Sequence, residues 1–261
     1  MIVDCHTHIY EAGHGGPFAL PASADDLVRD MDACGVDISV VLPLPGAATN
    51  AFVQAQCARF PDRLVGLYTP EFEEPSTTIT KMEQFFQEYS PPGFKIHPRV
   101  QGIRVTDEVV REVLAWASER SLTVLFDVFP YGPDMADPLL HPLAYHTLAQ
   151  EMPDLTMVLA HAGGYKVLEA FVVAKVNPRV HLDVSFTPIY FKQSSAAGDI
   201  PFICERLPDG RVLYGSDFPH VRLAEALESA QQWAGSFTEA KRASLFGDAA
   251  AALFRISRRG A

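Results

Sequence analysis

The sequence predicts an α/β protein, a single (β/α)8 TIM barrel with an extra C-terminal helix. Eight short β-branched segments alternate with helical segments, which is typical of a parallel α/β fold. The strand segments are almost continuously apolar, as expected for strands buried on both faces. A length of 261 residues fits a closed barrel, and no change in composition marks a second domain, so we expect one domain over residues 1–261.

Apolar runs bounded by Gly, Pro, Asn or Asp define the strands. The predicted strands are Met1–Ile9, Ile38–Leu42, Arg63–Tyr68, Gly93–His97, Thr123–Asp127, Thr156–His161, Val180–Ser185 and Arg211–Asp217. Gly35 ends the first helix in the manner of a C-cap. The predicted helices are Ala24–Ala33, Asn50–Phe60, Thr77–Tyr89, Asp107–Arg120, Ala144–Glu151, Tyr165–Val176, Leu223–Ala234 and Glu239–Phe254.

The overall composition excludes several classes of partner. The formal net charge is −11 with no basic tract, so we expect neither nucleic acid nor an anionic membrane to bind. The four cysteines form no C-x-x-C pair, which argues against a thiolate metal site or a disulfide framework. No signal peptide is recognisable, and we expect a cytoplasmic protein with a small-molecule substrate. The oligomeric state stays open, and a homo-oligomer is compatible with the sequence.

Two histidines in the first strand are the first candidate metal ligands. Asp4, His6 and His8 occupy alternate positions, so we expect them to project from one face, with Cys5 facing away. Burying two imidazoles without partners is costly, whereas a metal ion accepts neutral imidazole readily. A lone His-x-His motif is a weak signal, because two surface histidines produce it as well.

The ends of the other strands strengthen that signal. The active site of a (β/α)8 barrel lies at the C-terminal ends of its strands. Six strand ends or the residues just after them carry polar side chains: His6 and His8, Lys95 and His97, Asp127, His161, Ser185, and Asp217 with His220. Helix capping explains individual members such as Ser185, but not the whole set. The sequence therefore predicts a catalytic site centred on a metal ion.

Five motifs along the whole chain resemble the amidohydrolase superfamily. The closest similarity is to its amidohydrolase-2 branch, which also contains aminocarboxymuconate semialdehyde decarboxylase. The resemblance implies a (β/α)8 barrel that holds one divalent metal ion, usually zinc. The motifs are Asp4–His8, Gly93–Pro98, Leu159–Gly164, Tyr214–Pro219 and Gly247–Phe254.

The resemblance also implies roles for individual residues. His6 and His8 correspond to the metal ligands of strand one, and Asp217 to the ligand of strand eight. In the family, that aspartate also takes the proton of the metal-bound water. His161 matches a histidine that binds metal in some members and only holds the water in others. His161 is therefore a catalytic candidate, together with Asp217.

The chain departs from the family at strand five, where the branch usually carries a histidine and this chain has Asp127. Direct ligation by Asp127 would give a harder site that suits Mn or Fe somewhat better than an all-imidazole site does. Alternatively, Asp127 orients a ligand, or the metal is weakly held or lost. The identity of the metal and of its third ligand stays open at this point.

Four further residues are candidates for substrate binding. His97 lies one step nearer the barrel mouth than Lys95, and Arg99 offers a guanidinium for an anionic group. His220 follows Asp217 closely. Lys95 has a second interpretation as a carboxylated lysine that bridges two metal ions, but we favour a substrate-binding or structural role.

These observations lead to three functional hypotheses. The first is a metal-dependent hydrolase that opens an ester, lactone or amide bond of a small polar molecule by attack of a metal-activated water. The alternative is a metal-dependent, non-oxidative decarboxylase, and the third hypothesis is a non-catalytic ligand-binding barrel. Substrate specificity is expected in the loops Glu11–Pro21, Phe129–His141 and Thr187–Ile200, whose aromatic residues are suited to a planar ligand.

Overall fold

A computed structural model of the chain describes residues 1–15 and 19–257. Eight parallel strands of this described part form a (β/α)8 barrel, as the sequence predicts. Numbered in chain order, they are β1 (Val3–Thr7), β4 (Ile38–Val41), β5 (Leu64–Gly66), β6 (Gly93–Ile96), β7 (Thr123–Asp127), β8 (Thr156–Ala160), β9 (Val180–Asp183) and β10 (Val212–Leu213). A small antiparallel hairpin, β2 (His14–Gly15) with β3 (Leu20–Pro21), follows β1. Residues 16–18 of the predicted loop Glu11–Pro21 lie outside the described residues.

The barrel closes through backbone pairing at two seams. Strands β1, β4 and β5 pair in parallel, and β6 to β10 form a second parallel run. A bridge between Tyr68 and Phe94 joins the two runs on one side. On the other side, the amide of Cys5 donates to the carbonyl of Tyr214 over 3.0 Å, and a parallel bridge pairs Thr7 with Phe218. The last predicted strand is therefore regular only over β10, although its pairing with β1 continues to Phe218.

Helices surround the barrel in the predicted alternation. They are α1 (Ala24–Cys34), α2 (Asn50–Arg59), α3 (Pro75–Tyr89), α4 (Pro98–Gln101), α5 (Glu108–Glu119), α6 (Ala144–Glu151), α7 (Val167–Val176), α8 (Thr187–Tyr190), α9 (Ser195–Arg206), α10 (Leu223–Trp233), α11 (Glu239–Ala243) and α12 (Ala249–Leu253). Helix α1 begins with a capping box between Ser23 and Asp26 and ends at Gly35, whose φ of 70° is left-handed. Among the described residues, no helix is both long and apolar enough to cross a membrane.

Two helical regions differ from the sequence prediction. The segment Thr187–Ile200 was expected to be a loop, yet it contains α8 and the start of α9. Pro201 lies inside α9, and burial of Ile200, Ile203 and Cys204 offsets the hydrogen bond that a proline removes. The expected helix Glu239–Phe254 is interrupted by a π-helical turn, Ser244–Asp248, between α11 and α12.

The π turn has a tertiary cause. The carbonyl of Leu245, which lies in this turn, accepts a 2.9 Å hydrogen bond from the amide of Tyr214, just after β10. A carbonyl that bonds a neighbouring strand interrupts the regular i to i−4 ladder, and local π geometry accommodates the change. The C-terminal segment is thereby attached to the last strand of the barrel.

Alternation along the strands separates two apolar layers. On β7, Val124 and Phe126 pack in the large cluster with the surrounding helices, whereas Leu125 belongs to a smaller cluster inside the barrel. On β6, Phe94 and Ile96 face the helices, so the intervening Lys95 projects into the barrel interior. This lysine is 2% exposed.

Strand β6 lies very close to β7 at Gly93. A Cβ at Gly93 would meet the carbonyl oxygen of Thr123, a backbone atom that cannot rotate away. We expect Gly93→Ala to lower the free energy of unfolding by about 2–3 kcal/mol, because overpacking a close backbone contact forces the strands apart. Urea unfolding followed by circular dichroism measures the change.

Gly198 of α9 provides the matched control, because nothing lies within 4 Å of the position that its Cβ would take. Gly198→Ala should leave stability unchanged or raise it by up to about 1 kcal/mol, as alanine favours a helix over glycine. Equal effects of the two substitutions would contradict the proposed strand contact.

Candidate active site

A register shift in β1 arranges the two histidines of the first strand. Asp4 pairs with Ser39 and Thr7 with Val41, so two residues of β1, Cys5 and His6, oppose the single residue Val40 of β4. The alternation of side chains between the two faces of β1 is therefore interrupted. The prediction that Asp4 projects from the same face as His6 and His8 is wrong. Its carboxylate instead accepts the backbone amides of His6 and Ser216 over 3.2 and 2.9 Å.

Barrel closure brings Asp217 to these histidines. The amide of Asp217 donates to the carbonyl of His6 over 2.8 Å, and the amide of His8 donates to the carbonyl of Phe218 over 2.7 Å. Asp217 has a left-handed φ of 65°, which turns its carboxylate toward the barrel axis. Its Oδ1 lies 3.6 Å from Nε2 of His6 and 3.5 Å from Nε2 of His8.

These three side chains fit a divalent metal ion. One ligand atom of each lies within 4.8 Å of the others, and all three residues are buried. Tetrahedral ligands at about 2.1 Å from a zinc ion are separated by about 3.4 Å, close to the spacing seen here. The buried set of His6, His8 and Asp217 is therefore consistent with a divalent metal site, without specifying the metal.

Neighbouring groups hold both imidazoles in the orientation that a metal ligand needs. Nδ1 of His8 donates to the carbonyl of Leu42 over 2.8 Å, and Nδ1 of His6 donates to Oδ2 of Asp183 over 2.5 Å. The Nε2 atoms of His6 and His8 are therefore not used by these partners and lie toward Asp217. Such partners fix the tautomer and orientation of ligating histidines. Gly215 permits this arrangement, because a Cβ there would lie 2.9 Å from Cβ of His6.

Sequence reasoning did not identify the role of Asp183. Its signal was an acidic residue in an otherwise apolar, buried strand, β9. The sequence predicts that Cys5 faces away from the histidines, but Cys5 lies in the apolar cluster inside the barrel, where burial and the charge of Asp183 raise the pKa of its thiol.

The electrostatics of the site keep both histidines neutral. Burial lowers the pKa of His8 to about 3, and burial followed by the charge of Lys95 lowers the pKa of His6. Burial alone would raise the pKa of Asp217, but His220 and His8 bring that pKa well below its usual range. Two neutral imidazoles and one carboxylate are the protonation states that a metal ion requires.

Asp127 lies outside this group of three and is shared by two other histidines. Its Oδ2 lies 3.2 Å from Nε2 of His97 and 3.2 Å from Nε2 of His161. Burial alone would raise the pKa of Asp127, but His97 and His161 bring the pKa well below its usual value. Between the interpretations that the sequence left open, these contacts favour an orienting role over direct ligation.

His161 connects this pair to the histidines of strand one. Its Nδ1 lies 3.0 Å from Oγ of Ser185, which in turn lies 3.2 Å from Nδ1 of His6. Burial alone would lower the pKa of His161, but the hydrogen bond to Asp127 and the charges of Asp127, Asp217 and Asp183 together raise the pKa. His161 is left-handed, with φ 58°, and Thr187 holds its carbonyl at 2.5 Å.

A cavity of about 330 Å³ opens above these residues. All four predicted substrate-binding residues line it, together with several aromatic rings. Nε of Arg99 and Nδ1 of His97 are buried and have no hydrogen-bond partner among the described residues. The lining residues are His8, Leu44, Lys95, His97, Arg99, Val100, Asp127, Phe129, Tyr131, His161, Phe186, Tyr190, Asp217 and His220.

A family model described as Amidohydrolase matches residues 3–256. The chain belongs to the amidohydrolase-2 family. The match includes both ends of the barrel and therefore the whole candidate site. No curated protein sequence matches the chain significantly.

Solved structures with the same fold extend over nearly the full chain. An uncharacterized TIM-barrel protein from Bordetella bronchiseptica aligns with a TM-score of 0.83 and 17% identity, covering 97% of this chain and 98% of that one. A probable 2-pyrone-4,6-dicarboxylic acid hydrolase from Acinetobacter baumannii aligns with a TM-score of 0.72, 15% identity and coverages of 97% and 99%. A 5-carboxyvanillate decarboxylase from Sphingomonas paucimobilis aligns with a TM-score of 0.71 and 17% identity, covering 98% of this chain and 99% of that one. At these identities the similarity shows the fold.

The metal content of the purified protein tests the three-residue group. Protein isolated without chelators should contain about one equivalent of Zn, Mn or Fe by mass spectrometry, and the double variant His6→Ala/His8→Ala should lose it, because a carboxylate alone holds a divalent ion weakly. His146→Ala, which removes an exposed histidine of α6, is the control and should keep the metal. Retention of the metal by the double variant would place the site elsewhere.

Proposed function

We propose that the protein is a metal-dependent hydrolase that opens an ester, lactone or amide bond of a small, planar, anionic substrate. The proposal depends on one observation: the group His6, His8 and Asp217 lies directly beneath a cavity lined by basic and aromatic side chains. Zinc is the proposed ion, with manganese and iron as alternatives, since imidazole and carboxylate ligands suit all three.

The chain's residues have distinct tasks in this reaction. His6, His8 and Asp217 would hold the ion, which when bound lowers the pKa of water to about 7 and polarises a carbonyl. The carboxylate of Asp217 lines the cavity, so it can accept a proton there. His161, whose pKa is raised, lines the cavity, where the positive charge of its protonated ring can stabilise the oxygen that becomes negative.

The cavity indicates the class of substrate. Its volume is at the small end of ligand sites, which suits a compact molecule. The guanidinium of Arg99 lies over the ring of Tyr131 at 5.7 Å, and guanidinium groups bind carboxylates in a fork. Phe129 contacts Phe186 edge-to-face with ring centroids 5.2 Å apart, and together with Tyr190 these rings form an apolar wall.

Decarboxylation of an aromatic or unsaturated carboxylate is the second candidate function. The same basic groups that bind a carboxylate could direct it toward the metal, and the fold does not separate the two reactions. The solved structures with this fold include both a hydrolase and decarboxylases. The same ligand set and the same cavity therefore support both candidates.

Product analysis distinguishes the candidates. With carboxylated lactones, esters and benzoates as substrates, hydrolysis should release protons without carbon dioxide, whereas a decarboxylase should release carbon dioxide. Asp217→Asn should lower kcat by about 10²- to 10⁴-fold in either case, because it removes the proton acceptor and weakens the metal site. Asp209→Asn, at an exposed aspartate paired with Lys241, is the control and should leave kcat unchanged. Turnover that persists in Asp217→Asn would contradict the assigned role.

The role of Arg99 is tested by substrate charge. Arg99→Met should raise KM for a carboxylated substrate by about 10- to 100-fold, because a charge-assisted hydrogen bond is lost. KM for the corresponding neutral methyl ester should hardly change. Arg179→Met, at an exposed residue before β9, serves as the control. An equal rise in KM for both substrates would show that Arg99 acts through cavity shape rather than through charge.

A further inference from the structure

Lys95 contacts Nε2 of His6, the ring nitrogen that would bind a metal ion. Its Nζ lies 2.9 Å from Nε2 of His6, and Lys95 is 2% exposed. Nδ1 of His6 donates to Asp183, so Nε2 carries the ring's single lone pair. That lone pair either accepts a hydrogen bond from Lys95 or binds a metal ion, but not both.

A second acceptor for Lys95 lies within reach on the neighbouring strand. Lys95 pairs with Leu125 in the β6–β7 register, which brings Asp127 two residues further along the interior. Oδ2 of Asp127 lies 4.0 Å from Nζ of Lys95. Rotation about the flexible lysine stem can close this gap without moving the backbone.

The position of Asp127 makes it a suitable acceptor. Its Oδ2 is already shared by His97 and His161, and an ionised carboxylate accepts several hydrogen bonds. Asp217, by contrast, has its Oδ1 directed at both histidines of the metal group. Asp217 therefore faces the candidate metal ligands, whereas Asp127 faces Lys95.

We propose that Lys95 competes with the metal for Nε2 of His6, and that Asp127 receives the amine of Lys95 when a metal binds. This inference rests on the proposed metal-dependent function. It assigns a purpose to Asp127 at the end of strand five, where the amidohydrolase-2 branch usually carries a histidine. Lys95 is then a positioning residue that sets metal affinity and not a ligand.

Zinc affinity, measured by competition with a chromophoric chelator, tests the competition. Lys95→Met removes the hydrogen bond to His6 and should lower the Kd for zinc by about 10-fold, the equivalent of one hydrogen bond of ordinary strength. Lys81→Met, at an exposed lysine of α3, is the control and should leave the Kd unchanged. Lys95→Gln, which keeps a polar group, provides a second variant if Lys95→Met does not fold by circular dichroism.

A double-mutant cycle tests the role of Asp127. Asp127→Asn should raise the Kd for zinc in the wild-type background, because the lysine loses its alternative acceptor. The increase should be clearly smaller in the Lys95→Met background, where no amine has to be received. Equal increases in the two backgrounds would overturn the exchange between His6 and Asp127.

Three other results would overturn either the competition or the metal-dependent function. An unchanged Kd in Lys95→Met overturns the competition, and so does a loss of zinc stoichiometry, which would instead identify Lys95 as a ligand or a carboxylated bridge. A wild-type protein that binds no zinc, manganese or iron at all would refute the proposed metal-dependent function itself. Zinc binding to the wild type therefore separates failure of the function from failure of this inference.

Discussion

Pairing between the first strand and the segment after the last strand is the constraint on which the structure depends. Three backbone hydrogen bonds join them, from Cys5 to Tyr214, from Asp217 to His6 and from His8 to Phe218. These bonds close the barrel and also align the candidate metal ligands. A change that loosens this seam would disturb fold and site together, because the same backbone atoms serve both.

Burial of charge at the barrel mouth is the second organising feature. Lys95, Asp127, Asp183 and Asp217 are all buried, although a buried charge without a partner is costly. Each lies within 4.0 Å of an oppositely charged or imidazole group. Removing one member leaves the others uncompensated, so these residues act as a unit.

The cavity above this unit combines two kinds of surface. Basic groups on β6 and in the segment that follows it line the cavity together with aromatic rings from the segments after β7 and β9. Such a combination suits planar anions and supports both hydrolysis and decarboxylation. Under the proposed function, the choice between the reactions would depend on which bond of the substrate lies over His6, His8 and Asp217. Small differences in these loops can therefore change the reaction while the barrel stays the same.

The sequence alone predicts the barrel and the end of the barrel at which the site lies. The alternation of apolar strands with helices predicted the barrel, and polar residues at strand ends predicted where the site lies, because both patterns depend on local periodicity. Only the tertiary structure shows three further features. These are the contacts of His6 with Lys95 and Asp183, the sharing of Asp127 between two histidines, and the register shift in β1. They depend on the register between strands far apart in the chain. Local periodicity specifies which face a side chain takes, but not which distant side chain it meets there.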